Sequence, residues 1–164
     1  MKTLRQKIEA LPSAVFMLDD IQIRPIRDDN DLWYATVECQ LAPGQEDYVN
    51  PAGFSIGRAY LNPEDNIPCI ILIEGTPIGY IVLRECIDGN ANSWSYYLDK
   101  HHQGKGFGKK AARLAIQILK AAEPMRPIKL SAEQDNAKAH RLYQAVGFRR
   151  TEEMDGDDLV FLYK

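Results

Sequence analysis

Residues 103 to 109 read Gln-Gly-Lys-Gly-Phe-Gly-Lys, with glycine at every second position, an aromatic stretch before them and a long amphipathic stretch after them. No other segment limits the fold as strongly. Trp94 to Leu98 is rich in aromatic side chains that suit a pleated, half-buried surface, which predicts a strand. Ala111, Ala112, Leu114, Ala115, Ile118 and Leu119 recur at helical spacing, and the helix they define ends before Pro124. A strand that runs through glycines into a helix leaves the first helical amides unpaired at the positive end of the helix. An anion is the natural ligand there, and phosphate foremost. Gly104, Gly106 and Gly108 allow close backbone approach and positive φ, so that successive N–H groups point at one pyrophosphate.

Two better-known nucleotide loops are excluded by the residues themselves. A dinucleotide fingerprint would need glycine at Lys109, and a Walker loop would need glycine at Gln103 with Ser or Thr at Lys110.

The remaining chain reads as one domain over residues 1–164. Leu4, Ile8 and Leu11 predict a short amphipathic helix within an additional amino-terminal segment, residues 1–18, an appendage that packs on the domain or on a partner. Ile21, Ile23 and Ile26 form a strand, and the turn at residues 27–31 caps a helix over Leu32 to Leu41. A second helix covers Phe54 to Leu61. Pro68 to Ile73 and Ile78 to Cys86 make a hairpin around Gly75-Thr76-Pro77. After the long helix come a strand at Ile128 to Ala132, a helix from Asn136 to Val146 closed by Gly147, and two strands around Asp155-Gly156-Asp157. This order gives a mixed α/β sheet with helices on both faces.

Charge and cysteine usage narrow the partners. The net charge is −3, without a basic block, so no nucleic-acid footprint is present. Cys39, Cys69 and Cys86 are odd in number and lack CxxC spacing, which argues against a disulfide framework and a zinc site. No metal is expected. No apolar run approaches the roughly 18 residues of a membrane span, so a cytoplasmic protein without membrane association is expected.

The glycine loop resembles motif A of the GNAT family of N-acetyltransferases, Gln/Arg-x-x-Gly-x-Gly/Ala, through Gln103, Gly106 and Gly108. Asn136 to Phe148 is similar to the family's motif B, Asn-x-x-Ala-x-x-Leu-Tyr-x-x-x-Gly-Phe. The likeness extends over residues 21–163. It implies a GNAT fold, a twisted and mostly antiparallel sheet of about seven strands that splays between the fourth and fifth, and acetyl-coenzyme A as co-substrate. It also implies that pantetheine lies in the splay like an added strand, bonded to main-chain groups predicted at Tyr96 and Leu98, with Tyr97 beside them. Gln103, Gly104, Lys105, Gly106, Phe107, Gly108 and Lys109 would then hold the pyrophosphate. Asn136 would bond pantetheine or cap its helix. Tyr143 would be the general acid that protonates the departing thiolate.

The base is less legible. Polyamine-acetylating relatives carry a glutamate on the fourth strand where Trp94 is expected here, leaving Glu85 or Glu133 to act through water. His101 and His102 flank the loop and are expected to be surface residues. Residues 38–60 resemble the acceptor side of bacterial spermine/spermidine (diamine) acetyltransferases, notably at Gln45, Tyr48, Val49, Pro51 and Ala59. Glu38, Glu46, Asp47 and Glu85 would draw in a polycation, while Tyr48 and Trp33 offer aromatic faces. The expected reaction is acetyl transfer to a small-molecule amine, a polyamine foremost. The alternatives are a protein acetyltransferase and a catalytically weak acyl-coenzyme A binding module. Homodimers are common among such folds.

Overall fold

The computed structural model describes residues 1–164. Eight strands form one sheet in the order β1-β2-β3-β4-β5-β6-β8-β7. They are β1 (Met17–Leu18), β2 (Ile21–Pro25), β3 (Asn66–Ile73), β4 (Thr76–Glu85), β5 (Asn92–Leu98), β6 (Ile128–Ala132), β7 (Arg149–Asp155) and β8 (Asp158–Tyr163). All neighbours are antiparallel except β5 and β6. The expected strands are present, with β1 added as a two-residue partner to the start of β2. The helices are α1 (Leu4–Glu9), α2 (Asp29–Trp33), α3 (Ala52–Leu61), α4 (Phe107–Ala122) and α5 (Ala137–Ala145). The helix expected over residues 32–41 starts earlier, at Asp29, because Asp28 accepts the Asp31 N–H. It continues as one π-turn, Tyr34–Glu38.

Alternation along the central strands divides the apolar residues between two faces. Ile67, Cys69 and Ile71 of β3, with Ile81 and Leu83 of β4, join the large core beneath α1 and α4. Ile70 and Leu72 of β3, with Tyr80 and Val82 of β4, meet Ala35 and Ala52 in a smaller core beneath the α2 and α3 region. Both faces of β3 and β4 are covered, which is why these segments are unbroken apolar runs without a polar period.

The amino-terminal helix is not an appendage. Leu4 and Ile8 are each 1% exposed and belong to the large core. A capping box between Thr3 and Gln6 starts α1. Lys7 pairs with Glu123 at the end of α4, and Arg5 Nε donates to Pro63 O at 2.6 Å. Ile8→Ala should therefore lower stability by about 2–5 kcal/mol in denaturant titration. A loss below about 1 kcal/mol would place α1 outside the cooperative unit.

Candidate active site

The cleft exists because β5 and β6 part. They are paired only at Asn92 and Ile128, where Asn92 N–H donates to Pro127 O at 2.9 Å. Along β5 toward Leu98 no further pairing with β6 follows. Asp99 N–H donates to Ile78 O at 2.8 Å, in register with Gly79 opposite Leu98. Main-chain groups alternate in direction along an antiparallel strand. Those of Tyr97 therefore face β4, and those of Tyr96 and Leu98 face the gap.

A cavity of about 410 Å³ occupies that gap. Tyr96, Tyr97 and Leu98 form one wall, and Ser131 and Glu133 lie on the other. Gln103, Gly104, Gly106, Gly108 and Lys109 close the glycine-loop end. The φ angles of Gly104 and Gly106 are +74° and +83°, and Gly106 is the residue that precedes α4. Gly108 is different from the expectation, since it lies inside α4. A Cβ there would stand 3.3 Å from the Tyr96 hydroxyl, which donates to Gly108 O at 3.1 Å. Its role is close packing of the helix start on β5. Phe107 turns its ring toward the large core, and Lys105 is exposed at the loop tip. Neither side chain lines the cavity.

From α5, Asn136, Ala139, Leu142 and Tyr143 reach the cavity at helical spacing. The Asn136 side chain accepts the Ala139 N–H at 3.2 Å, so it caps the helix. The Tyr143 ring packs against Phe148 and Phe161, with centroids 6.0 and 5.4 Å away. Burial, followed by the charge of Glu133, pushes its hydroxyl pKa up to about 12. The hydroxyl is thus protonated throughout the ordinary pH range and can donate to an anion in the cleft.

One contact escaped the sequence reading. Gln45 and Gln103 exchange amide hydrogen bonds of 2.7 and 2.8 Å, while Gln103 Nε2 also donates to Leu98 O at 2.9 Å. This amide pair ties the segment carrying Tyr48 and Val49 to the glycine loop, and all three residues, Gln45, Tyr48 and Val49, line the cavity. Long-range amide pairs leave no local signal. Lys138, by contrast, was within reach of the helical spacing on α5.

The geometry fits the description "Acetyltransferase (GNAT) family", which matches residues 30–148. The chain belongs to the GNAT family. It is 31% identical to a probable spermine N(1)-acetyltransferase of Bacillus subtilis subsp. natto, over 82% of this chain and 91% of the relative. It is 30% identical to the spermine/spermidine N(1)-acetyltransferase of Bacillus subtilis strain 168, with the same coverage. The spermidine N-acetyltransferase of Vibrio cholerae, solved with CoA and spermine, superposes with a TM-score of 0.69 at 16% identity, over 88% of this chain and 94% of that one. This GNAT protein is accordingly an N-acetyltransferase.

Several acceptor-side expectations need correction on the GNAT frame. Glu85 sits at the opposite end of β4 from the cleft, opposite Asn92, and pairs with Arg126 at 3.2 Å. Glu38, Glu46, Asp47 and Trp33 are exposed and line neither the cleft nor the cavity behind it. Trp94 is buried against Phe148 with ring centroids 5.6 Å apart. It belongs to the large core, so its identity carries no information about a base. His101 is exposed and His102 half-buried; their ring nitrogens lie 3.1 and 3.6 Å from Asp99, outside the cavity. No helix is long and apolar enough to cross a membrane.

Proposed function

We propose that the chain transfers the acetyl group of acetyl-coenzyme A to a primary amine of a small molecule by direct attack in a ternary complex. The observation that carries this reading is the meeting, in one cleft, of the Gly104 and Gly106 amide cradle, the gap-facing main chain of Tyr96 and Leu98, and the protonated Tyr143 hydroxyl. Bound acetyl-coenzyme A would supply an acetyl carbon activated as a thioester. The glycine loop and the α4 amino terminus hold its pyrophosphate, with Lys109 adjacent. Lys105 and the Phe107 amide border that loop. Tyr96, Tyr97 and Leu98 align the pantetheine arm, and Asn136 fixes the start of α5 beside it.

An amine nitrogen adds to the thioester carbon, the carbon–sulfur bond breaks, and the amine's surplus proton leaves. Tyr143 donates to the departing sulfur, which limits the charge that develops there. Glu133 is the single carboxylate on the cavity wall, so it is the group to receive the amine proton through water. The names of the two Bacillus relatives support spermine or spermidine as the acceptor. The test is coenzyme A release from acetyl-coenzyme A across polyamines, aminoglycosides, amino acids and lysine peptides. Acceptor-dependent release limited to small amines supports the reading. Bound cofactor with no release for any amine would leave a binding module instead.

A further inference from the structure

A second cavity, of about 70 Å³, lies behind β5 and shares Val49, Tyr96 and Tyr97 with the cleft as common walls. Its other walls come from β4 and α3 and include Tyr80, Ser55, Arg58 and Arg84. No carboxylate is among them. An acceptor whose amine reaches the cleft past Tyr97 would extend its remaining atoms into this space.

An arginine partly withdrawn from water normally keeps a partner, because desolvating a lone charge is costly. Elsewhere this chain obeys that rule, with Arg24 on Asp31 and Arg126 on Glu85 and Glu123. Arg84 does not. Its side chain is half-buried and makes neither a hydrogen bond nor an ion pair; partial burial lowers its pKa, and Cys86, Arg58 and Asp155 act on it only through space. The Arg58 guanidinium rests over the Phe54 ring at 5.7 Å and likewise has no carboxylate partner. Two cations therefore line one small cavity that has no carboxylate in its wall. The Ser55 hydroxyl and the Tyr80 hydroxyl bond each other across it.

We propose that this cavity is the distal subsite of the acceptor and receives a carboxylate, so that the acceptor is an amine bearing an acid group a few bonds from its nitrogen. The proposal rests on the acetyl-transfer reading above, and it departs from the acceptor class for which the relatives are named. A polyamine would bring a second ammonium against two guanidiniums. A carboxylate can engage the planar guanidinium fork of Arg84 with paired hydrogen bonds, while Arg58 adds charge.

Matched acceptors test it, since putrescine and δ-aminovalerate, or cadaverine and ε-aminocaproate, differ only in the distal charge. For the full chain, kcat/KM should favour each amino acid over its diamine by about tenfold or more. Arg84→Gln should remove most of that preference through acceptor KM, with acetyl-coenzyme A KM unchanged. The same variant should melt within a few degrees of the parent, because the half-buried Arg84 side chain makes no hydrogen bond or ion pair to lose. A fall in Tm with equal losses for both acceptor types would make Arg84 structural and overturn the proposal. Diamines preferred by the parent chain, and unaffected by Arg84→Gln, would overturn it while leaving acetyl transfer intact. A readout without turnover separates the two readings. Glutarate added to the coenzyme A complex should raise Tm in the parent and not in Arg84→Gln, and no shift in the parent overturns the subsite. Failure of amines of every class to stimulate coenzyme A release would instead defeat the acetyl-transfer reading.

Discussion

Gly106→Glu should abolish detectable acetyl-coenzyme A binding, a loss of about 100-fold or more in calorimetric Kd, in a protein that still folds. No atom lies within 4 Å of a Cβ built at Gly106, so the side chain meets open space and not packed protein. On the proposed reading it occupies the place of the pyrophosphate, and its carboxylate sits at the positive end of α4 as a competing anion. The backbone contributes a separate cost, because Gly106 has φ +83°. A non-glycine residue in that conformation costs on the order of 1–3 kcal/mol. Gly106→Ala carries this strain without charge or bulk and is the control. It should lower Tm as much as Gly106→Glu does and retain measurable cofactor binding. Equal loss of binding in both variants would assign the effect to backbone strain, and unchanged binding in Gly106→Glu would remove the pyrophosphate from this loop.

Tyr143→Phe should lower kcat by roughly 10²–10⁴-fold while leaving acetyl-coenzyme A affinity within a few-fold. The ring that packs against Phe148 and Phe161 is retained, and only the hydroxyl is lost. Because burial pushes the pKa of that hydroxyl up to about 12, kcat should show no decline from Tyr143 ionisation between about pH 6 and 10. Rising pH should raise the rate there by freeing the acceptor amine. A parallel loss of kcat and cofactor affinity would identify Tyr143 as a structural residue of α5. An alkaline limb near pH 9 that vanishes in the Phe variant would contradict the raised pKa.

The glycine-loop and α5 side of the cleft was legible because its signals are local. Glycine alternation before Ala111, Ala112 and Leu114 specifies a loop and a helix face, and Asn136, Ala139, Leu142 and Tyr143 share one side of α5 by spacing alone. The acceptor half was not, for two physical reasons. Faces of β4 and β5 are assigned by which side is buried, and here both are, so Trp94 gave no indication that it faced the core. Charge also carries no address. Glu85 reads like any cleft carboxylate until its position opposite Asn92, far from Leu98, places it on Arg126. Arg84, one residue away on the alternate face, lines the second cavity. The short segment Met17–Leu18 has too few residues to show a period, and α1 is fixed by contacts distant in sequence, Lys7 on Glu123 and Arg5 on Pro63.

The parting of β5 from β6 leaves main-chain donors and acceptors unpaired within the sheet, the same chemistry that makes an outer strand prone to recruit a neighbouring chain. An outer edge is guarded by charge, proline or brevity, and β5 has none of these at Tyr96 to Leu98. Its protection is geometric. The opening narrows to closure at Asn92 and is flanked by α5 on one side and the start of α4 on the other. A polypeptide strand carries side chains on both faces and would have to thread them into a wedge. A slender chain with amides and few substituents meets no such obstacle. On the proposed reading, the notch disfavours a neighbouring polypeptide strand while it admits a pantetheine-like arm.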